Sequence, residues 1–240
     1  MTTPIGRGMR TVVAAVRSAL FMVVFYLGSV PLVAAAAVAG LISTPAVIDA
    51  SHRWAGWFAW TARVILGIQY RIVGTVPDHA ALVALKHQSA YETIMILWLF
   101  RRPATVLKAE LLGIPLWGEA ARAHGVIPVD RAGSAAALRA MLKAGNAAKA
   151  AGRPIVIFPE GTRTAVGAAP PLRAGLAGLY RALRLPLIPV ALDAGVCWPR
   201  GFVKYPGTVT FHFQDAIPAG LERDDLESRV RTAINALNPA

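Results

Sequence analysis

Residues 81–94 read ALVALKHQSAYETI, and how this stretch divides decides the fold. ALVAL (81–85) is an apolar run of strand length, as expected for a strand covered on both faces of a sheet. Ser89 then opens a helical pattern, with Glu92 three residues on in the S-x-x-E arrangement of a helix start, and the helix should run to about Phe100. The alternation recurs downstream. ATVLK (104–108), GVIPVD (125–130), PIVIF (154–158), LPLIPVAL (185–192) and TVTFHF (208–213) read as strands. SAAALRAMLKAGNAAKAAG (134–152) reads as a helix with Ser134 as N-cap and Gly152 as stop, and residues 224–237 as a closing amphipathic helix. Strands separated by helices predict an α/β fold, a mixed, mostly parallel sheet flanked by helices.

Upstream the chain changes character. Arg7, Arg10 and Arg17 precede residues 18–48, which carry no charge at all. A membrane span needs roughly 20 apolar residues, and this run is longer, although Pro31 divides it and Pro45 follows. Trp54, Trp57, Trp60, Arg53 and Arg63 come next, a mixture suited to the headgroup boundary. A single kinked span and a pair of helices sunk into one leaflet, hinged near Pro31 to Pro45, both fit. The basic flanks favour the pair, since both should stay on one side. A cleaved signal peptide and an apolar helix buried in a soluble core are the alternatives. The boundary is placed at 70, giving a membrane-anchoring helical segment (1–70) and an α/β domain (71–240).

Composition agrees with lipid contact. Of the 240 residues 55% are hydrophobic and only 16% charged, and the formal net charge is +12. Excess positive charge attracts nucleic acid, anionic lipid or phosphorylated substrates. The charge is spread along the chain without zinc-finger spacing or a basic helix, so nucleic acid is not expected as a partner. Cys197 is the single cysteine and cannot form an internal disulfide, which fits a reducing, cytosolic side. The five histidines show no metal-ligand spacing, so no metal is expected.

His87 and Glu92 carry the candidate chemistry. Five residues rotate a helix by about 500°, so the two side chains meet only if His87 lies on the loop before the helix. Glu92 then either caps the helix alone or orients an imidazole whose ordinary pKa near 6.5 suits proton transfer at neutral pH. No G-x-S-x-G nucleophile turn exists, so a substrate hydroxyl would itself be the attacking group. Two further stretches follow strands, where open α/β sheets place ligands. GVIPVDR ends in Arg131, and FPEGTRT (158–164) supplies a glutamate, a glycine, a hydroxyl and an arginine. Arginine holds phosphate by paired hydrogen bonds, and glycine lets backbone amides approach an anion.

In this order the blocks resemble the glycerolipid acyltransferases typified by 1-acyl-sn-glycerol-3-phosphate acyltransferase, from about Leu82 to Pro218. His87 to Glu92 matches that family's His-x4-Asp block, with Glu in place of Asp. GVIPVDR matches the second block, Phe158–Arg163 the third completely, and the apolar strand around Pro189 the fourth. The resemblance implies the glycerolipid acyltransferase fold. It also implies transfer of a fatty acyl chain from acyl-CoA or acyl-carrier protein to lysophosphatidic acid, giving phosphatidic acid, with no cofactor besides the co-substrate. It implies His87 as general base and Glu92 as its orienting carboxylate. Lys108, Arg131, Glu160, Gly161, Thr162 and Arg163 would hold the glycerol phosphate, Glu160 by positioning Arg163 or a glycerol oxygen. A backbone N–H near Gly161 would face the oxyanion. The lipid bilayer would be a partner, with the catalytic domain on the cytoplasmic face. Another lyso-lipid acceptor, a non-catalytic lipid-binding protein and a lipid hydrolase are the rival readings.

Overall fold

A computed structural model of the chain describes residues 4–129 and 135–239. Seven strands form one sheet: β1 (Ile68–Val73), β2 (Leu82–Leu85), β3 (Ala104–Lys108), β4 (Ile127–Val129), β5 (Ile155–Ile157), β6 (Leu187–Leu192) and β7 (Gly207–Phe213). Their spatial order is β1-β7-β6-β2-β5-β3-β4. Every pairing is parallel except β6 with β7. The helices are α1 (Pro4–Ile42), α2 (Thr44–Thr61), α3 (Tyr91–Leu99), α4 (Trp117–His124), α5 (Ala135–Ala150), α6 (Gly175–Leu183), the single turn α7 (Ala194–Cys197) and α8 (Arg223–Ile234).

Alternate residues of a strand face opposite sides of a sheet, and the two faces here have different covers. Val83 and Leu85 of β2, with Val156, Val190 and Phe211, pack under α1, α2 and α3 through Phe21, Phe25, Phe58, Tyr91 and Met95. Leu82 and Ala84, with Ile155, Ile157 and Leu187, pack under α5, α6 and α8 through Met141, Leu176, Leu179, Val230 and Ile234. All four residues of β2 are buried, as its unbroken apolar run requires. β2 and β5 are neighbours with Ala84 opposite Ile157, so the loops leaving them emerge side by side.

The expected strands and the three expected helices are present. Ser134 lies outside the described residues, and Gly152 closes α5 with φ +66°, a left-handed conformation that favours glycine. Two features differ from the sequence reading, and a third narrows it. First, β1 was absorbed into the anchor segment. It pairs with β7 along its whole length, so a boundary at 70 falls inside a strand. It is an edge strand with Tyr70, Ile72 and Val73 exposed, which hides its apolar alternation in a region already rich in apolar residues. Second, α4 and α6 were not singled out; α6 buries Leu176, Leu179, Tyr180 and Leu183, a regular inward stripe.

Third, the N-terminal helices form the expected pair, and within the expected Pro31–Pro45 stretch the hinge is at Ser43. Helix α1 continues through Pro31 for 39 residues. Ser43 is extended, its hydroxyl accepts the Ala46 N–H at 3.3 Å, and Pro45 lies in the first turn of α2. The two helices return antiparallel. Trp54 Nε1 donates to Ser29 Oγ at 3.0 Å, Trp57 Nε1 to the Phe25 carbonyl at 3.3 Å, and Phe25 lies edge-on to Phe58. A Cβ on Gly28 would sit 2.6 Å from the Trp57 indole, so glycine permits this approach. Trp54 and Trp57 therefore lock the hairpin, and only Trp60 is exposed among the three. The opposite face of α1, with Val12, Val16, Leu20, Val23, Leu27 and Val30, is exposed and predominantly apolar. The segment Gly8–Ile42 is long and apolar enough to cross a membrane.

Candidate active site

His87 stands on the loop leaving β2, before α3, which is the placement that lets it reach Glu92. Its Nδ1 lies 2.9 Å from Glu92 Oε1. The same oxygen accepts the backbone N–H of Gln88 at 2.7 Å and of Ser89 at 2.6 Å, and Oε2 accepts the Ser89 hydroxyl. A carboxylate that accepts every other bond also accepts here, so Nδ1 carries the hydrogen and Nε2 the lone pair. The cap and the dyad are thus one structure. Glu92 holds the first turn of α3 and the imidazole together, and its extra methylene is accommodated because it is fully buried against these donors. Phe158 stacks on the His87 ring at 4.2 Å. Such a pair can remove a proton from a hydroxyl and stabilise the imidazolium that results.

The loop after β5 grips the backbone of His87. Glu160 Oε2 accepts the His87 N–H at 2.8 Å. Thr164 donates its N–H to the His87 carbonyl at 2.8 Å, and its one hydroxyl hydrogen is shared between that carbonyl, at 3.1 Å, and Glu160 Oε1. Glu160 Oε1 accepts Lys86 Nζ at 2.7 Å and lies 3.2 Å from the Thr164 hydroxyl. Glu160 is therefore buried and directed inward, which corrects its expected place beside Arg163 and the substrate: a carboxylate at the end of β5 is drawn to the only buried ammonium group among the described residues. The Gly161 N–H is occupied by the Phe158 carbonyl at 3.0 Å, so it does not serve an oxyanion, whereas those of Thr162 and Arg163 make no bond within the described chain. Gly161 has φ +67°, and a Cβ there would meet Arg173 Cγ at 2.9 Å, so glycine lets the Arg173 stem cross the loop.

His87, Lys108, Gly161, Thr162 and Arg163 all line one cavity of about 1100 Å3. Arg173 and Arg200 line it as well, and sequence reasoning missed both because they lie outside the recognisable blocks. Arg200 donates to the Arg163 carbonyl at 2.7 Å. None of these four basic side chains has a carboxylate within 4.0 Å among the described residues, so the rim is an uncompensated cationic field. Its effect reaches Lys204, whose pKa is lowered first by burial and then by the Arg163 charge. The apolar part of the cavity runs between α1, α2, α3 and α4 past Ala36, Trp54, Leu97 and Ala120. Arg131 lies outside the described residues.

His124 lines the same cavity at the end of α4. The buried Arg153 guanidinium donates to its carbonyl at 2.9 Å and to Pro103 O at 2.8 Å. Burial, and after it the Arg153 charge, lower the His124 pKa from 6.5 to about 4. The unfolded chain takes up this proton near pH 6.5 and the folded chain only near 4, so the stability is complete above pH 6.5 and is lost as the pH falls towards 4. The loss is roughly 3 kcal/mol at 1.4 kcal/mol per pKa unit. His124→Gln should flatten the melting-temperature profile in this window; an equally steep fall in the mutant would assign it to other groups.

A mostly parallel α/β fold with a His–carboxylate pair opening into a cavity with a cationic rim defines a class of group-transfer site. The acyltransferase family model matches residues 67–193, more than half of the chain, and the chain belongs to this acyltransferase family. It is 36% identical over 161 residues to the 1-acyl-sn-glycerol-3-phosphate acyltransferase of Pseudomonas aeruginosa, covering 66% of this chain and 63% of that protein. The protein of the same name from Cocos nucifera is 28% identical over 153 residues, covering 62% and 50%. The chain thus spans between half and two thirds of the length of these two relatives. The crystal structure of the 1-acyl-sn-glycerophosphate (LPA) acyltransferase PlsC from Thermotoga maritima has the same fold, with a TM-score of 0.68, 18% identity and 96% coverage of both chains.

Proposed function

We propose that the chain transfers a fatty acyl group from a thioester, acyl-CoA or acyl-carrier protein, to the free hydroxyl of lysophosphatidic acid, forming phosphatidic acid. The observation that carries this reading is the opening of the Glu92-bound imidazole of His87 into the cavity that Lys108 and Arg163 also line. His87 Nε2 takes the proton of the acceptor hydroxyl as its oxygen attacks the thioester carbonyl. The tetrahedral intermediate expels the thiolate, which recovers that proton from the imidazolium. Glu92 keeps Nδ1 protonated throughout, and the free N–H groups of Thr162 and Arg163 are the donors at hand for the oxyanion. Lys108 and Arg163 take the acceptor phosphate, Gly161 and Thr162 shape the loop that presents them, and the kinship with 1-acyl-sn-glycerol-3-phosphate acyltransferases favours lysophosphatidic acid. The test is transfer from labelled acyl-CoA and acyl-carrier protein to a panel of lyso-lipids. Phosphatidic acid should dominate; fatty acid released without acceptor, or preference for an uncharged acceptor, would overturn the reading.

Arg163→Ala should raise the KM for lysophosphatidic acid about tenfold or more, the scale of a lost charge-assisted hydrogen bond, with less effect on kcat. An unchanged acceptor KM would remove Arg163 from phosphate binding.

The exposed apolar face of α1 fits a bilayer partner, and the hinge at Ser43 returns both helices to the protein, as helices sunk in one leaflet would. Arg10, Arg17, Arg53 and Arg63 flank this region, so the basic-flank preference puts the catalytic body on the cytoplasmic face. Leu20, Val23 and Leu27 lie on the outer face, and burying each is worth about 1.5–3 kcal/mol. Changing all three to serine should release the protein from anionic vesicles with little change in Tm; undiminished co-sedimentation would contradict the anchor.

A further inference from the structure

We propose that Lys86 is a positioning residue of the acyl-transfer site: its ammonium group ties Glu160 to the C-terminal helix and so sets the place of the His87 imidazole. The inference rests on reading His87 as the base. Lys86 is the last residue before His87, follows β2 directly and is fully buried, so it touches no substrate. Its Nζ donates to Glu160 Oε1 at 2.7 Å, Ala168 O at 2.6 Å and Asn235 Oδ1 at 2.6 Å, which engages all the hydrogens an ammonium group has. Asn235 is the C-cap of α8. Its Nδ2 donates to Arg231 O at 2.7 Å, and its Oδ1 also accepts Asn238 Nδ2 at 2.9 Å.

Both Lys86 and Glu160 side chains have no exposure. Removing two charges from water costs several kcal/mol for each ion, and well-packed apolar residues often serve stability as well or better. Stability alone therefore gives a weak account of this pair. The arrangement it fixes gives a stronger one. Glu160 Oε2 holds the His87 N–H, and Thr164, bonded to Glu160 Oε1, holds the His87 carbonyl. The peptide unit on either side of the imidazole-bearing Cα is thus held by the loop that also carries Thr162 and Arg163, and that loop is anchored on Lys86. The matched family segment ends at 193, so Asn235 brings a region beyond it into the support of the site. A misplacement of about 1 Å at a reacting group can cost on the order of 100-fold in rate.

The test uses the 240-residue chain in detergent micelles, as the parent, Lys86→Met and Asn235→Ala. Asn235→Ala withdraws one acceptor from Lys86 without touching Glu160 or His87. The readouts are kcat, the KM for lysophosphatidic acid, Tm, and the proton NMR signal of the hydrogen between His87 Nδ1 and Glu92, assigned by its loss in His87→Ala. Lys86→Met should lower kcat on the order of 100-fold with KM little changed, and should shift or broaden the shared-proton signal; Asn235→Ala should act in the same direction by a smaller factor. A purely structural pair would lower Tm but leave kcat per folded molecule and the proton signal at parental values, which would overturn the proposal. A rise in KM alone would also overturn it. If Lys86→Met does not fold, Asn235→Ala decides, and parental kcat with an unmoved signal refutes the inference. A parent without acyl transfer would refute the proposed reaction instead, while the NMR comparison would still read the hold of Lys86 on His87.

Discussion

His87→Ala is expected to lower acyl transfer by roughly 100- to 10,000-fold, the usual contribution of a positioned general base. The change should leave the fold intact. The ring stacks on Phe158 and lines the cavity, but the contacts that clamp the residue in place, from Glu160 and Thr164, are made to its backbone. Alanine keeps both grips. Membrane binding and Tm should therefore stay near parental values while turnover collapses. Substantial turnover by a purified, folded mutant would take the imidazole out of the mechanism.

Glu92→Gln should damage both turnover and stability, and the two losses can be separated. Oε1 accepts three hydrogens, from His87 Nδ1, Gln88 N and Ser89 N. An amide can offer its oxygen to that cluster only by turning its NH2 towards the Ser89 hydroxyl. Either way it carries no charge to stabilise an imidazolium. Turnover per folded molecule should fall by about 100-fold or more, because the imidazole loses the partner that sets its tautomer. Stability should fall by about 1–3 kcal/mol, the cost of weakening buried hydrogen bonds to a charged group. A mutant that melts early but, at low temperature, turns over like the parent would leave Glu92 as a helix cap only. Glu92→Asp offers a geometric companion. Without the extra methylene the carboxylate can no longer reach the imidazole and both backbone amides in the present loop, so an intermediate activity is expected.

Most of the sheet was legible because β2, β5 and β6 are apolar runs of strand length, and a run such as ALVAL has few other uses. The site was legible where several chemical groups fall within a few residues, as in FPEGTRT. Elsewhere local patterns failed for physical reasons. β1 sits at an edge, three of its four apolar residues are exposed, and nothing local sets it apart from the apolar helices before it. The inward course of Glu160 depends on Lys86, 74 positions away, and no spacing rule reports such a partner. Lys86 itself carried a signal that sequence reasoning passed over. A lysine directly after a fully apolar strand is rarely buried unless paired, so its position alone asks for a carboxylate. Arg173 and Arg200 reach the cavity only through the fold.

The N-terminal hairpin shares its interior with the catalytic body: Phe21 packs edge-on against Trp198 at 5.5 Å, and Phe58 lies at 5.4 Å from the same ring. On the ribosome the hairpin is finished long before Trp198 is made. During that interval Phe21 and Phe58 lack the ring that covers them in the folded chain. A chain cut back to the sheet would therefore lose part of its own interior, because Phe21 and Phe58 supply the rings that pack on Trp198.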